Sequence, residues 1–424
     1  MSELLRRVAP SDVGRQSRPA VSARVLSRAS EIVESVRSGG AEAVRACAAQ
    51  FGERGPGEPL VLGRREMWAA LESLDRGDRE VLERAAQRIE RFARAQLGAI
   101  KPVVVDIEGG RAGHTVEPVR AAGCYGPAGR YPLPSSVLMT AVTARVAGCE
   151  RVCVASPGAQ SLMLAAAAIA GADEFLAVGG AHAVAAMAFG IDGLEPCDVI
   201  CGPGNAWVTG AKQCVSGEVG IDMLAGPSEL VVLADASADA RTIAVDLLAQ
   251  AEHDTEARAI LVTTCASVAS EVQRVLGEEL ASLPTRDTAA AARANGFVCV
   301  AASIEEAIAV VDRIAPEHLE ILFADAEAIA GRVRNAGGVF IGAASAEVVG
   351  DYGAGPNHTL PTGGTARFRA GLSVATFLRL RTWIQMDDPT GASGLLRDTV
   401  RLAEMEGLAG HARSAGIRLS LVPH

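Results

Sequence analysis

Eight short, uninterrupted apolar runs punctuate the chain beyond residue 118: RVCVAS, EFLAVGG, CDVICGPG, ELVVLAD, RAILVTT, GFVCVAA, LEILFAD and GGVFIG. A strand with one wet face alternates apolar and polar residues, whereas a run that is apolar throughout has both faces covered. Alanine-rich helical stretches of ordinary length separate the runs, so the order strand, helix, strand recurs. That recurrence marks parallel sheets sandwiched between helices. Eight strands exceed one minimal mononucleotide unit, and the turn-rich IDMLAGPSE at 221–229 falls midway as a crossing point. The expected fold is therefore α/β, with two Rossmann-like domains and small helical N- and C-terminal domains.

The first hundred residues read as mostly helical. Ala29, Ile32, Val33 and Val36 share one helical face that Gly39-Gly40 ends. In DREVLERAAQRIERFARAQLG, at 78–98, Val81, Leu82, Ala85, Ile89, Phe92 and Ala93 form one stripe after Asp78 as N-cap. After about residue 372 the pattern reads as helical again, ending in LLRDTVRLAEMEGLAGHARSAGIR.

With 49% hydrophobic residues, the 424-residue chain can bury a large core. Its formal charge of -10 excludes a nucleic-acid surface, which needs clustered Lys and Arg. MSELLRRVAPSD lacks an apolar signal region and LMLAAAAIAGA is too short to span a bilayer, so a cytoplasmic protein with no membrane partner is expected. Nine cysteines without a CxxC pair, mostly in apolar runs, read as small buried hydrophobes.

Neither GxGxxG between strand and helix nor GxxxxGK[ST] occurs, so neither standard phosphate loop is present. CGPGNAWV (201–208) and YGPAGRYPLPSS (125–136) each lead into a helix; such turns hold phosphates or simply turn the chain. Polar groups that suit a shared site lie in four segments. Gln250 and His253 are i and i+3 on one helix, a spacing that serves two ligands of one metal and equally a solvated helix end. Asp351 and His358 sit in the glycine-rich loop VGDYGAGPNHTLPTGG, and Glu406 and His411 in the tail. APEHLE at 315–320 sets Glu317 beside His318. Gln, His, Asp and His together form a mixed N/O shell for which zinc is the natural divalent ion. HExxH and GxSxG are absent, against a metalloprotease or serine hydrolase.

In order, GPGNAWV, DMLAGPSE, DLLAQAEHD, APEHLE, VGDYGAGPNHTLPT, GLSVATFL and EGLAGHARSAGIR resemble the histidinol dehydrogenase family, from about residue 20 to 418. The resemblance implies an intertwined homodimer in which one subunit's tail completes the other's site, and zinc-dependent oxidation of L-histidinol to L-histidine with two NAD. It places zinc on Gln250, His253, Asp351 and His411, and the paired bases on Glu317 and His318. Substrate contacts fall on Ser228, His318, His358 and Glu406 besides the metal ligands, and NAD contacts on Tyr125, His182 and Asn205. The implied roles are His318 as base for the alcohol and Glu317 as activator of water, with the pair taken as adjacent helical residues about 100° apart.

The implied division is an arm over 1–25 and a first Rossmann-like domain over 26–124 and 228–372, carrying bases and zinc ligands. A second over 125–227 forms the NAD side, with a tail domain over 373–424. Two departures stand out: GGAHA puts His182 where the family has glutamine, and GPAGRYPLP (126–134) replaces a VPGG run. The GRYPL wording is similar to paralogues that oxidise sulfonated diols such as sulfopropanediol.

Overall fold

The computed structural model describes residues 4–15, 20–128 and 131–420; Gly129 and Arg130 of the GPAGRYPLP stretch, and parts of the 1–25 arm, lie outside them. In chain order the strands are β1 (Arg6–Arg7), β2 (Val61–Gly63), β3 (Val103–Ile107), β4 (Gly110–Pro118) and β5 (Ala121–Tyr125). There follow β6 (Arg151–Ala155), β7 (Glu174–Leu176), β8 (Val199–Cys201), β9 (Gly220–Ile221) and β10 (Glu229–Ala234). The last five are β11 (Arg258–Thr263), β12 (Phe297–Val300), β13 (His318–Leu322), β14 (Gly338–Ile341) and β15 (Leu378–Met386). Each of the eight apolar runs coincides with one of them, β13 starting one residue before its run at His318.

Two compact units divide the chain: Met1–Arg94 with Val119–Phe377, and Ala95–Pro118 with Leu378–His424. The larger holds two six-stranded sheets, ordered β1-β12-β11-β10-β13-β14 and β2-β7-β6-β5-β8-β9. Counted from β10 and from β5, five strands of each follow the order 3-2-1-4-5, that of a Rossmann half. All pairs are parallel except β2 with β7. Strands β6, β8, β10, β11 and β13 are almost wholly buried, as their unbroken apolar character requires.

Several expectations need correction. The second sheet does not begin at residue 125: β5 is one of its inner strands and β2 its edge. Helix Ala23–Phe51, broken at Gly40 (φ 53°), packs Ala29, Val33, Val36 and Val44 into that sheet's core, so residues 23–63 belong to it and not to the first. The sequence AAGCY hid β5 because its residues are small, and they must be small. A Cβ on Gly123 would lie 2.8 Å from Met187 Sδ of the covering helix. The N-terminal arm is no separate helical domain, since β1 adds to the edge of the first sheet beside β12.

Nor is the tail purely helical. In the smaller unit β15 pairs antiparallel with β4, and β4 with β3, in one three-stranded sheet accompanied by helices Ser393–Met405 and Ala409–Leu419. Its nine residues LRLRTWIQM alternate with arginine, which weakened the apolar signal. In helix Arg76–Ala99 the buried residues are Ala86, Ile89 and Ala93, while Val81 and Phe92 of the expected stripe are exposed. Among the described residues no helix is long and apolar enough to cross a membrane.

One buried ion pair fixes the turn after β8. Lys212, on helix Ala206–Val215, pairs with Asp222 and donates to Gly202 O at 3.0 Å, while Asp222 Oδ2 accepts from Gly202 N at 2.8 Å. Removing one partner strands the other charge in the interior. Lys212→Ala is expected to cost about 3–5 kcal/mol, read as a lower urea midpoint; an unchanged midpoint would show that water satisfies Asp222.

Candidate active site

The two sheets present opposite strand ends to function. Tyr125 is the last residue of β5, and Gly202–Asn205 follows β8, so these groups sit at the carboxyl ends of the second sheet, where its strand order reverses. That is where doubly wound sheets bind ligands. In the first sheet the polar groups gather at the amino ends of β10 and β13 instead, with Leu230 in register with His318.

Ala315 sets this up. It ends helix Ile304–Ile314 in the left-handed region (φ 49°), alone among the described non-glycine residues in having positive φ. Such a conformation stores about 1–3 kcal/mol and persists only where surroundings enforce it. Pro316 follows and leads the chain into β13, so Glu317 and His318 lie at the start of a strand rather than on a helix. Their side chains converge there, with Glu317 Oε2 3.6 Å from His318 Nδ1.

Glu317 Oε2 accepts from Ser228 Oγ at 2.7 Å and from Glu229 N at 2.9 Å. Burial pushes its carboxyl up to about 8, against these two hydrogen bonds and with repulsion from Glu229 and Asp351. His318 Nδ1 lies 3.2 Å from Glu229 O. A carbonyl only accepts, so Nδ1 carries the hydrogen and Nε2 the lone pair. Burial pushes the imidazole down to about 4, keeping it neutral at pH 7. Phe340 packs at 6.0 Å against its ring, and Gly350 lets Phe340 in, since a Cβ there would stand 2.7 Å from it.

Beside this pair lies a set of metal-type donors. Asp239 caps helix Ala240–Glu252 by accepting from Thr242 N at 2.8 Å, and the helix carries Gln250 to its last turn with His253 as C-cap. Gln250 is 0% exposed, and its amide oxygen and nitrogen are both without a hydrogen-bond partner. His253 Nε2 lies 3.7 Å from Asp351 Oδ2. Asp351 ends the short helix Glu347–Asp351, whose first residue also points into the group. One ligand atom each from His253, Glu347 and Asp351 fall within 4.8 Å of one another.

Glu347 was not anticipated, although it stands one helical turn before Asp351, a spacing that puts two side chains on one face. It is 2% exposed, and neither carboxyl oxygen has a hydrogen-bond partner. Burial, then repulsion from Asp351, Glu317, Glu320 and Asp246, pushes it up to about 9. Glu320 is itself raised to about 8 by burial and Asp246, and accepts from Glu347 N at 2.6 Å. So many buried carboxyls, together with an orphaned amide, make a donor set matched to a divalent cation, which would relieve their repulsion.

His358 joins the two halves of the larger unit. Its Nδ1 donates to Asp351 O at 3.0 Å and its Nε2 stands 3.2 Å from Ser136 Oγ, on helix Pro134–Ala147 of the second sheet. Asn357 Nδ2 donates to Met139 O of the same helix at 2.8 Å. Burial lowers the His358 pKa.

A cavity of about 1270 Å³ has His253 and Asp351 in its wall, together with Tyr125, His182 and Asn205. Tyr125 Oη accepts from Gly180 N at 3.1 Å, and Asn205 caps helix Ala206–Val215 by accepting from Trp207 N and Val208 N. His182 is buried, with Nε2 2.8 Å from Glu53 Oε2 and its ring stacked on Phe51 at 5.8 Å. Glu53 is a partner that sequence gave no signal for. Glu406 and His411 lie in the smaller unit, both exposed, the latter on helix Ala409–Leu419. The larger unit thus brings together Ser228, Glu317 and His318, the cluster of His253, Glu347 and Asp351, and His358, carries Gln250 on the helix that ends at His253, and lines one cavity with Tyr125, His182 and Asn205.

Known proteins align with this arrangement over nearly the whole chain. A family model described as histidinol dehydrogenase matches residues 15–419. A histidinol dehydrogenase of Parasynechococcus marenigrum is 43% identical over 412 residues, covering 93% of this chain and 91% of that protein. One of Gluconobacter oxydans is 44% identical over 396 residues, covering 92% and 91%. Among solved structures, histidinol dehydrogenase from Elizabethkingia anophelis superposes with a TM-score of 0.91 at 29% identity, covering 99% of each chain. The chain belongs to the histidinol dehydrogenase family of oxidoreductases.

Proposed function

We propose that this protein oxidises L-histidinol to L-histidine, by way of bound histidinal, in two successive hydride transfers to NAD, as a cytoplasmic enzyme of histidine biosynthesis with one zinc ion per subunit. The observation that carries the reading is the juxtaposition of a neutral imidazole and a buried carboxyl, His318 and Glu317, with the cluster of His253, Glu347 and Asp351, and with Gln250 unpartnered on the helix that ends at His253. Relatives bearing the histidinol dehydrogenase name at 43% and 44% identity support it. Zinc fits the donor set, because an amide, an imidazole and a carboxylate are ligands a borderline ion accepts. Bound there, it would supply Lewis acidity and a fixed point for the amino alcohol. NAD, lying along the cavity by Tyr125, His182 and Asn205, would supply the hydride acceptor.

The chain's own groups move the protons. With Nδ1 held by Glu229 O, His318 presents Nε2 as the lone pair that takes the substrate's hydroxyl proton. Oxidation of the aldehyde needs water, and Glu317 is the base that removes its proton. Both hydrogen bonds to Glu317 fall on Oε2, leaving Oε1 as the oxygen for water. Held side by side, with Glu317 Oε2 3.6 Å from His318 Nδ1, the two groups can serve different steps at one carbon. We further propose a homodimer in which Glu406 and His411 from one subunit's tail complete the substrate and zinc shell of the other.

A second reading, suggested by GRYPL, is oxidation of a sulfonated diol such as sulfopropanediol by the same machinery. Zinc-loaded protein given L-histidinol is expected to form two NADH per histidine; NADH from the sulfonated diol alone would transfer the reaction to the second reading, and none from either would overturn both.

The pH dependence follows from Glu317. Its carboxyl must be ionised to act, and burial sets that near 8, so the aldehyde step should rise about tenfold per pH unit below 8 and level off above it. His318, lowered to about 4, is already neutral and adds no dependence in this range. Glu317→Gln should slow histidinal oxidation about 10²–10⁴-fold and abolish the rise, with alcohol oxidation largely kept; an unchanged profile would remove Glu317 from water activation. Mixing inactive His318→Asn and His411→Asn proteins should restore activity through mixed dimers, and no recovery despite proven subunit exchange would refute a shared site.

A further inference from the structure

Glu53 and His182 meet in the wall of the cavity, and neither moves a proton or holds the metal. His182 is 2% exposed, on helix Gly180–Phe189, at the position where the family has glutamine. Its Nε2 lies 2.8 Å from Glu53 Oε2, and Glu53 Oε1 accepts from Gly179 N at 3.1 Å, just ahead of the helix. A negative charge therefore rests on the helix N-terminus, the place a phosphate would otherwise take. Gly180 N is engaged as well, by Tyr125 Oη at 3.1 Å.

The pair has a direction. A carboxylate only accepts, so Nε2 carries the ring hydrogen and the neutral imidazole keeps its lone pair on Nδ1. Among the described residues Nδ1 has no hydrogen-bond partner. Gly180, also in the cavity wall, has φ 61° and leaves that nitrogen uncovered, since a Cβ there would stand 3.7 Å from it. Phe51, stacked on the ring with 11° between the planes, fixes its orientation. A buried nitrogen of this kind costs free energy unless a ligand brings it a donor. Cations are scarce nearby: among the described residues lining the cavity there is no lysine, and the one arginine, Arg28, is paired with Glu31.

Resting on the placement of NAD proposed above, we propose that Glu53 is a positioning residue for His182, holding Nδ1 toward the cavity as the acceptor for a ribose hydroxyl, so that the pair selects NAD and rejects NADP. A hydroxyl donates to Nδ1. The phosphate that NADP carries in place of one ribose hydroxyl brings only acceptors and negative charge against a lone pair and a carboxylate. Carboxylates read ribose hydroxyls and arginines receive the extra phosphate in dinucleotide sites generally, and this wall has the first without a spare second.

Binding of NAD and of NADP to the zinc-loaded protein, measured by calorimetry with L-histidine present, tests this without turnover. The parent is expected to bind NAD about 100-fold more tightly than NADP. Glu53→Gln keeps the volume, removes the charge and should narrow that ratio about tenfold; an unchanged ratio overturns the proposal. Glu53→Ala should weaken NAD about tenfold in the parent and leave it unchanged in a His182→Gln background, because an amide side chain has no ring to be aimed. Equal loss in both backgrounds would reduce Glu53 to a cap on Gly179 and refute the proposal. With L-histidinol saturating, Glu53→Ala should raise KM for NAD with kcat kept. Bound NAD without turnover of histidinol would sink the reaction reading alone, whereas no binding of NAD would sink its placement in the cavity and this proposal with it.

Discussion

Parallel pairing of β10 with β13 is the constraint from which the site follows. Its register sets Leu230 against His318, which brings Glu229 alongside Glu317 and His318. One residue then serves twice: Glu229 N binds the Glu317 carboxyl and Glu229 O binds the His318 ring. A slip of one residue would turn each strand's side chains to the opposite face and undo both contacts. Both strands are buried along their whole length, so such a slip would also misplace Glu229, His318 and Glu320.

The cost of this placement is a concentration of buried carboxyl groups. Glu317, Glu320 and Glu347 are all raised, chiefly because burial disfavours the charged form. Desolvation works in the opposite direction on His318, holding it neutral. One apolar setting therefore keeps an imidazole neutral at pH 7 beside a carboxyl whose ionisation is pushed up to about 8. Two protonation behaviours emerge from one environment because acid and imidazole respond to it with opposite sign.

Much of this was legible beforehand. Unbroken apolar runs named eight strands, and the i, i+3 spacing of Gln250 and His253 placed two donors on one helical face. What stayed hidden had physical causes. Small residues that let helices close over β5 erased its apolar signal, and alternating arginine disguised β15. A histidine after Ala-Pro-Glu carries no period of its own, so nothing local separates helix from strand at Glu317 and His318; a left-handed Ala315 decides for strand. Glu53 meets His182 from a position 129 residues away, which no local pattern reports.

By itself the sequence determined the class of fold and the kinds of groups available, because apolar period and residue chemistry are local properties. Membership of the family was likewise carried by ordered motifs. Only the tertiary structure decided that Glu317 and His318 sit at the amino ends of one sheet while Tyr125 and Asn205 sit at the carboxyl ends of the other. It alone decided that Glu347 joins His253 and Asp351 in one cluster and lies 3.5 Å from His318 Nε2. Burial, register and the direction of a carboxyl depend on chain segments far apart in sequence, and those meet only when both sheets have closed around their helices.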